Sequence, residues 1–474
     1  MIVPALICAA LITLLLLARR AGMPPVNPIA VLCLSWIPVL LISGLPGLIF
    51  PVLDTNTYLT IVIGLGAACS GSFVGWALVR SSTVPKIEST VHVSTRALVR
   101  WHMAGVALLA IYVLYQGLLM LPVVERIGGF GALLSDGGRG FRAAQAAIRA
   151  DTLGDGFANG GLLVAVLGYV AYLGYVSLFT GALLWWRGRR VLATIPLVLL
   201  GAVTLITFQR TSFVIGVLIA VTALALSRGR SAAGKPGSGL ASRSGRKPLA
   251  FRIAAASTAV AAAAAIVLVP LQLRNAGTTN STGLRSLFEY LVSGVAGLQA
   301  RFTYGANPEL AQSLDSSNFD LGTNSFSGLF GILSRLGFPV DAGAHSLEYY
   351  TVSIAGRPFA TNVATGLNDY LMDFGILGLV AIPFLLGGVA AASVRLIGYG
   401  RTWLIPIASL ALVALFWSFL VNTILKDVRY AMLAVVASCL LAFLGRKPSL
   451  EAAEPEAAAH EEHADPVQHS AVRL

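Results

Sequence analysis

Charge is what this chain has least of. Only 11% of its 474 residues are Asp, Glu, Lys or Arg, whereas 56% are hydrophobic and the mean hydropathy is +0.80. A soluble domain of this length needs a charged surface, so that class is excluded. The alternation of apolar and polar residues that marks a barrel strand is also missing, which argues against an outer-membrane barrel. Cysteine is scarce: Cys8, Cys33, Cys69 and Cys439 all fall in apolar runs, and no pair has metal-ligand spacing. They read as small buried hydrophobes. There is no DxD pair to hold a divalent cation, no heptad repeat and no internal repeat. No metal or other cofactor is expected.

What the chain does have is long apolar runs. A helix needs about 20 apolar residues to cross a hydrocarbon core, and in lipid every backbone group must bond within its own segment. The fold class expected is all-α, a polytopic helical integral membrane protein with about eleven transmembrane helices. The spans fall near 2–18, 29–50, 57–79, 102–123, 161–184, 191–208, 211–227, 253–271, 374–394, 403–421 and 430–445. The first run has no positive charge before it and Arg19-Arg20 after it, the reverse of a cleavable signal peptide.

Lys and Arg set the orientation. With the N-terminus outside and the C-terminus in the cytoplasm, inner segments hold 21 basic and 7 acidic residues, and outer segments 12 basic and 14 acidic. That bias expects a multi-pass membrane protein whose basic segments face the cytoplasm. It also accounts for the net charge of +12 by apposition to an anionic inner leaflet, with no need for nucleic acid. The domains expected are N-terminal membrane helices (1–227), a basic cytoplasmic linker (228–252), a single span (253–271), a large extracytoplasmic loop (272–373), C-terminal membrane helices (374–445) and a disordered cytoplasmic tail (446–474).

Polar residues gather in two outer loops. The first, 124–160, carries Arg126, Arg139, Arg142 and Arg149; an Ala-rich stretch would put Arg142 and Arg149 on one helix face. The second, 272–373, is too long to be a mere connector. Within it, 284–302 reads as an amphipathic helix and 323–336 as a second apolar segment, both lying along the membrane surface as a partial lid. The loop holds Arg274, Arg285, Arg301, Arg335 and Arg357, and Arg210 sits between spans six and seven with apolar sequence on both sides. Guanidinium groups bind phosphate bidentately, so several arginines without a metal cluster point to a phosphate-bearing substrate. His345 is the sole histidine on this face and a candidate general base, against the plainer reading of a loop histidine.

At the end of the second loop the residues resemble a family. Thr361-Asn362, then Asn368-Asp369-Tyr370-Leu371-Met372-Asp373-Phe374-Gly375-Ile376-Leu377-Gly378, is similar to the "TNV…Y.DFG..G" signature of oligosaccharide repeat-unit polymerases, the Wzy-type O-antigen and exopolysaccharide polymerases. EYLVSGVAGLQARF (289–302) and GTNSFSGLFGILSRLG (322–337) resemble two further segments of that family, and Arg210 stands where the family has a "gSR" arginine, here Phe208-Gln209-Arg210. The resemblance spans about 200–390 through short, degenerate motifs in the same order.

The resemblance implies transfer of a growing glycan from polyprenyl diphosphate to the next lipid-linked repeat unit. The chemistry would be an inverting attack by an acceptor hydroxyl, without a metal. It implies Arg210, Arg301 and Arg335, with Arg285 and Arg357, as diphosphate ligands, and Asp373, Asp369 or His345 as base. Asn362 and Tyr370 become sugar contacts. The alternative for Asp373 is a helix N-cap ahead of the ninth span. The partners implied are a polyprenyl-diphosphate-linked oligosaccharide, the bilayer, and a flippase and chain-length regulator of the same pathway. Competing readings are an O-antigen ligase-like transferase, whose histidine before the asparagine is here Thr361, and a lipid-linked oligosaccharide flippase or other transporter. A transporter would place charges within its spans and show repeats.

Overall fold

The computed structural model describes residues 2–50, 52–79, 94–126, 129, 169–207, 211–228, 283–304, 325–335, 338, 350–361 and 365–445. In chain order its elements are α1 (Ile2–Arg20), α2 (Pro28–Ser43), β1 (Ile49–Phe50), α3 (Thr55–Leu78), α4 (Thr95–Arg126), α5 (Val176–Trp186), α6 (Arg190–Thr207), α7 (Thr211–Ser227), α8 (Gly283–Tyr304), α9 (Ser327–Arg335), β2 (Tyr350–Ile354), β3 (Arg357–Thr361), α10 (Gly366–Gly398), α11 (Ile405–Trp417), the one-turn α12 (Thr423–Lys426) and α13 (Val428–Leu444).

Among the described residues, five helical stretches are long and apolar enough to cross a bilayer: Ile2–Arg20, Thr55–Leu78, Thr95–Pro122, Tyr169–Trp186 and Gly366–Gly398. Five shorter apolar helices accompany them. Leu6, Leu34, Leu114, Val198, Leu385 and Val435 point outward and are exposed. On a soluble protein such a surface would drive aggregation; around an apolar bundle it is the face that meets lipid. The chain is a helical membrane protein. The expected eighth span, nearly all of loop 124–160, the linker beyond Arg228 and the tail lie outside the described residues.

The tightest contact joins α3 to α10, and small residues make it. A Cβ on Gly71 would stand 1.9 Å from the carbonyl oxygen of Phe384, and one on Gly387 would stand 2.1 Å from that of Ala68. Gly75 meets Gly388 in the same way. Lipid supplies no hydrophobic drive between helices, so close backbone approach is how such helices cohere. Elsewhere the core is aliphatic and aromatic. Trp36 of α2, fully buried, donates its indole N–H to Ser418 Oγ at 3.0 Å just beyond α11.

Four observations correct the reading of the sequence. First, β1, β2 and β3 form a small antiparallel sheet in an otherwise helical chain, with Ile49 opposite Ile354 and Ile354 opposite Arg357. The β2–β3 turn is Ala355-Gly356 with φ of 52° and 74°, the left-handed pair that a two-residue hairpin requires. Second, α8 is no surface helix: residues 292–300 are all buried, so every side of it is covered. One side packs on the sheet through Val292, Ala296 and Ala300, and Gly294 abuts the carbonyl of Phe419. Third, α11 stops at Trp417, and residues 418–427 fold back as turns and α12. Fourth, Cys8, Cys33 and Cys69 are buried as expected, but Cys439 is exposed on α13.

Candidate functional site

The site forms where the start of α10, the end of α8, the approach to α9 and the 418–427 turn meet. Helix α10 begins at Gly366, eight residues before the ninth span expected from hydropathy. Its first two turns therefore carry Asn368, Asp369, Tyr370 and Asp373 inside a helix. At Gly375 the backbone breaks to φ 60°, ψ −149° before helix resumes. That conformation belongs essentially to glycine. Gly378 completes the bend, because a Cβ there would stand 2.4 Å from the carbonyl oxygen of Tyr370. The Tyr370–Gly378 motif thus encodes a kink that separates a short polar helix from the membrane helix.

Asp373 is fully buried, and its carboxylate accepts a hydrogen bond from the backbone N–H of Ser325. Ser325 is held from its other side by Asn422, whose Nδ2 donates to the Ser325 carbonyl at 3.1 Å. The two side chains pin the residue immediately ahead of α9. Asp373 stands in the second turn of α10, whose N-cap position is Thr365. Its carboxylate thus fastens a neighbouring segment, a role that differs from capping the first turn of its own helix.

Asp369, in the first turn, is 8% exposed, and its Oδ2 lies 2.9 Å from Lys426 Nζ. Asp373 and Arg301 are the next charges acting on it. Removing one partner of such a mostly buried pair leaves an uncompensated charge, which is strongly destabilising. Arg301 is half-buried at the end of α8. Two residues earlier, Gln299 accepts from the Asp54 backbone N–H and from Thr57 Oγ1, both at 2.7 Å, and so ties α8 to the start of α3.

Among the described residues, much of the unmet hydrogen-bonding capacity gathers at this site. Arg301 Nε, Ser325 Oγ, Thr365 Oγ1, Asn368 Oδ1 and Trp417 Nε1 are buried and find no partner among the described residues. Leaving a buried polar group unpaired costs about 1–3 kcal/mol, and native proteins rarely do so without a functional reason. Here five such atoms come from segments that meet around one carboxylate pair. Donors, acceptors, a guanidinium and an ammonium together suit a polyhydroxylated, anionic ligand.

The residues expected from the sequence divide three ways. Asp369, Asp373 and Arg301 are brought together. Tyr370 is buried in the hydrophobic core beside Leu367. Arg285 falls in the first turn of α8, Arg335 ends α9 and Arg357 opens β3. Arg210, His345 and Asn362 lie outside the described residues. Sequence reasoning missed Asn422 and Lys426, although two polar residues in the run WSFLVNTILKD were a usable signal, and it missed Ser325, Thr365 and Asn368. Comparison with protein-family models, curated proteins and solved structures finds no match.

Proposed function

We propose that this protein is a polymerase of polyprenyl-diphosphate-linked oligosaccharide repeat units, acting on the outer face of a bacterial cytoplasmic membrane in surface or exopolysaccharide biosynthesis. One observation carries the reading. The three segments on which the family resemblance rests, 289–302, 322–337 and 361–378, contribute Arg301, Ser325 and Asp369 with Asp373 to one site. Their convergence on one polar site is what supports the reading.

In this reading the chain crosses the membrane eleven times, with its N-terminus outside. Arg301 acts with Arg210 and Arg335, supported by Arg285 and Arg357, on the lipid diphosphate. Donors aimed at developing negative charge stabilise the departing group. An acceptor hydroxyl of the incoming repeat unit attacks the anomeric carbon, the bond to the diphosphate oxygen breaks, and a carboxylate or His345 takes the hydroxyl proton. Asn368 and Thr365 join Asn362 as sugar contacts, and Lys426 pairs with Asp369.

Lipid-linked glycans extracted from a deletion strain test the reading. Single repeat units on the lipid, accumulating on the outer face, are expected. Repeat units trapped on the cytoplasmic face would overturn it in favour of a flippase, and unchanged surface glycan would remove it altogether. In the complemented strain, Arg301→Ala and Arg210→Ala should each abolish chain growth with protein abundance intact.

A further inference from the structure

At the end of the bundle away from this site, the ends of α3, α5, α7 and α10 and residues 22–26 line a half-open cavity of about 830 Å³. Its wall is apolar, with Leu224 and Val394 among the lining residues, and among the described residues no Asp or Glu lines it. Two cations do. Arg395 lies with its guanidinium 4.7 Å from the centre of the Trp76 ring and donates to the Trp76 carbonyl oxygen. Arg228 lies 6.0 Å from the centre of the Trp186 ring.

Both indoles are fixed in place. Trp76 Nε1 donates to the carbonyl of Ala21 at 3.1 Å, and Trp186 Nε1 to that of Leu224 at 3.0 Å. Each guanidinium thus rests on a locked aromatic face, which favours the cation and leaves most of its five N–H donors unspent. A helix C-terminus attracts a cation, which accounts for either arginine singly. It does not account for two arginine–tryptophan pairs at one apolar cavity that no carboxylate of the described residues lines.

We infer that this cavity binds an anionic glycerophospholipid, its phosphate held between Arg228 and Arg395 and an acyl chain lying along Leu224 and Val394. Phosphate supplies a counter-charge to both arginines in the bidentate geometry that guanidinium favours. The apolar wall selects a ligand with a hydrocarbon tail over a free anion. The inference stands apart from the glycan reading, since it uses none of the same residues.

The test is native mass spectrometry of the full-length protein, purified in detergent and titrated with phosphatidylglycerol or phosphatidylcholine of the same chain length. One phosphatidylglycerol should be retained per chain at concentrations where phosphatidylcholine is not. Arg228→Ala with Arg395→Ala should weaken that retention at least about tenfold, the loss of a charge-assisted phosphate contact. Arg228 is exposed, so Arg228→Ala alone spares the fold and should show a partial loss. Ala225→Trp, which fills the cavity and leaves both charges, should also expel the lipid. Arg19→Ala with Arg20→Ala should retain it. Equal retention of the two lipids, no change in the arginine variants, an equal loss in the Arg19/Arg20 variant, or displacement by inorganic phosphate would each overturn the inference.

Discussion

Gly375 and Asp373 decide the geometry of the candidate site, and each makes a distinct demand on the chain. The backbone of Gly375 (φ 60°, ψ −149°) lies where a Cβ is strained whatever space surrounds it. Gly375→Ala should therefore destabilise the protein by roughly 1–3 kcal/mol, read as a lowered thermal midpoint in detergent. Asp373 permits a sharper separation. Its carboxylate could serve as a base, or it could act only by accepting from Ser325. Asn keeps an acceptor oxygen but not the charge or basicity, whereas Ala keeps neither. If the carboxylate does chemistry, Asp373→Asn abolishes chain growth while leaving the melting midpoint and abundance near those of the parent. If it only fastens the approach to α9, Asp373→Asn stays active and Asp373→Ala alone fails. For Asp369 the partner is Lys426 at 2.9 Å. Lys426→Ala should thus cost activity as severely as Asp369→Asn, in the same glycan-length assay.

Among the elements, α10 depends on α3 more than on any other neighbour, through glycines that allow backbone contact. Gly71→Leu would drive a side chain into the Phe384 carbonyl, and overpacking of this kind costs at least about 1–3 kcal/mol. Gly66, on the same helix with open space beside it, should accept leucine with little change in thermal midpoint. The apolar helices were legible in the sequence because hydropathy over a bilayer-length window is a direct physical signal. The start of α10 was not, because Asp369 and Asp373 end any hydropathy window. What compensates them, Lys426 and the Ser325 N–H, comes from distant parts of the chain. The hairpin 350–361 was overlooked for a similar reason. Its alternation is short, and the partner that completes it, Ile49–Phe50, lies 300 residues earlier. The burial of α8 followed neither pattern: its small residues face the sheet and the Phe419 carbonyl, contacts that periodicity alone cannot announce. The carboxylates and Arg301 were legible because charge is so rare here, whereas Asn422, Thr365 and Asn368 are neutral and hid among apolar neighbours.

Taken as a whole, the molecule sorts its connections into two sets at opposite ends of the helices. One set joins 49–57, 299–301, 325, 350–361, 365–373 and 418–427 through the sheet, Gln299, Asn422 and the Asp369–Lys426 pair. The other joins Ala21, Trp76, Trp186, Leu224, Arg228 and Arg395. The segments of the first set lie outside, or at the outer end of a span, in the assignment by Lys and Arg bias, and those of the second lie inside or at the inner end of a span. Pairing by packing and pairing by charge are independent, so their agreement supports the alternation of the chain. The compartment each end faces can be read by labelling. In a background with the exposed Cys439 replaced by Ser, Gly356→Cys at the hairpin tip and Arg189→Cys between α5 and α6 give one exposed thiol at each end. A membrane-impermeant maleimide added to spheroplasts should modify the first at once and the second only after permeabilisation. The converse pattern would turn the polar site toward the cytoplasm, where repeat units have not yet crossed the membrane, and would remove the basis for outer-face polymerisation. Labelling of both thiols from one side would break the alternation itself, and with it the argument that these scattered polar segments share a single aqueous face.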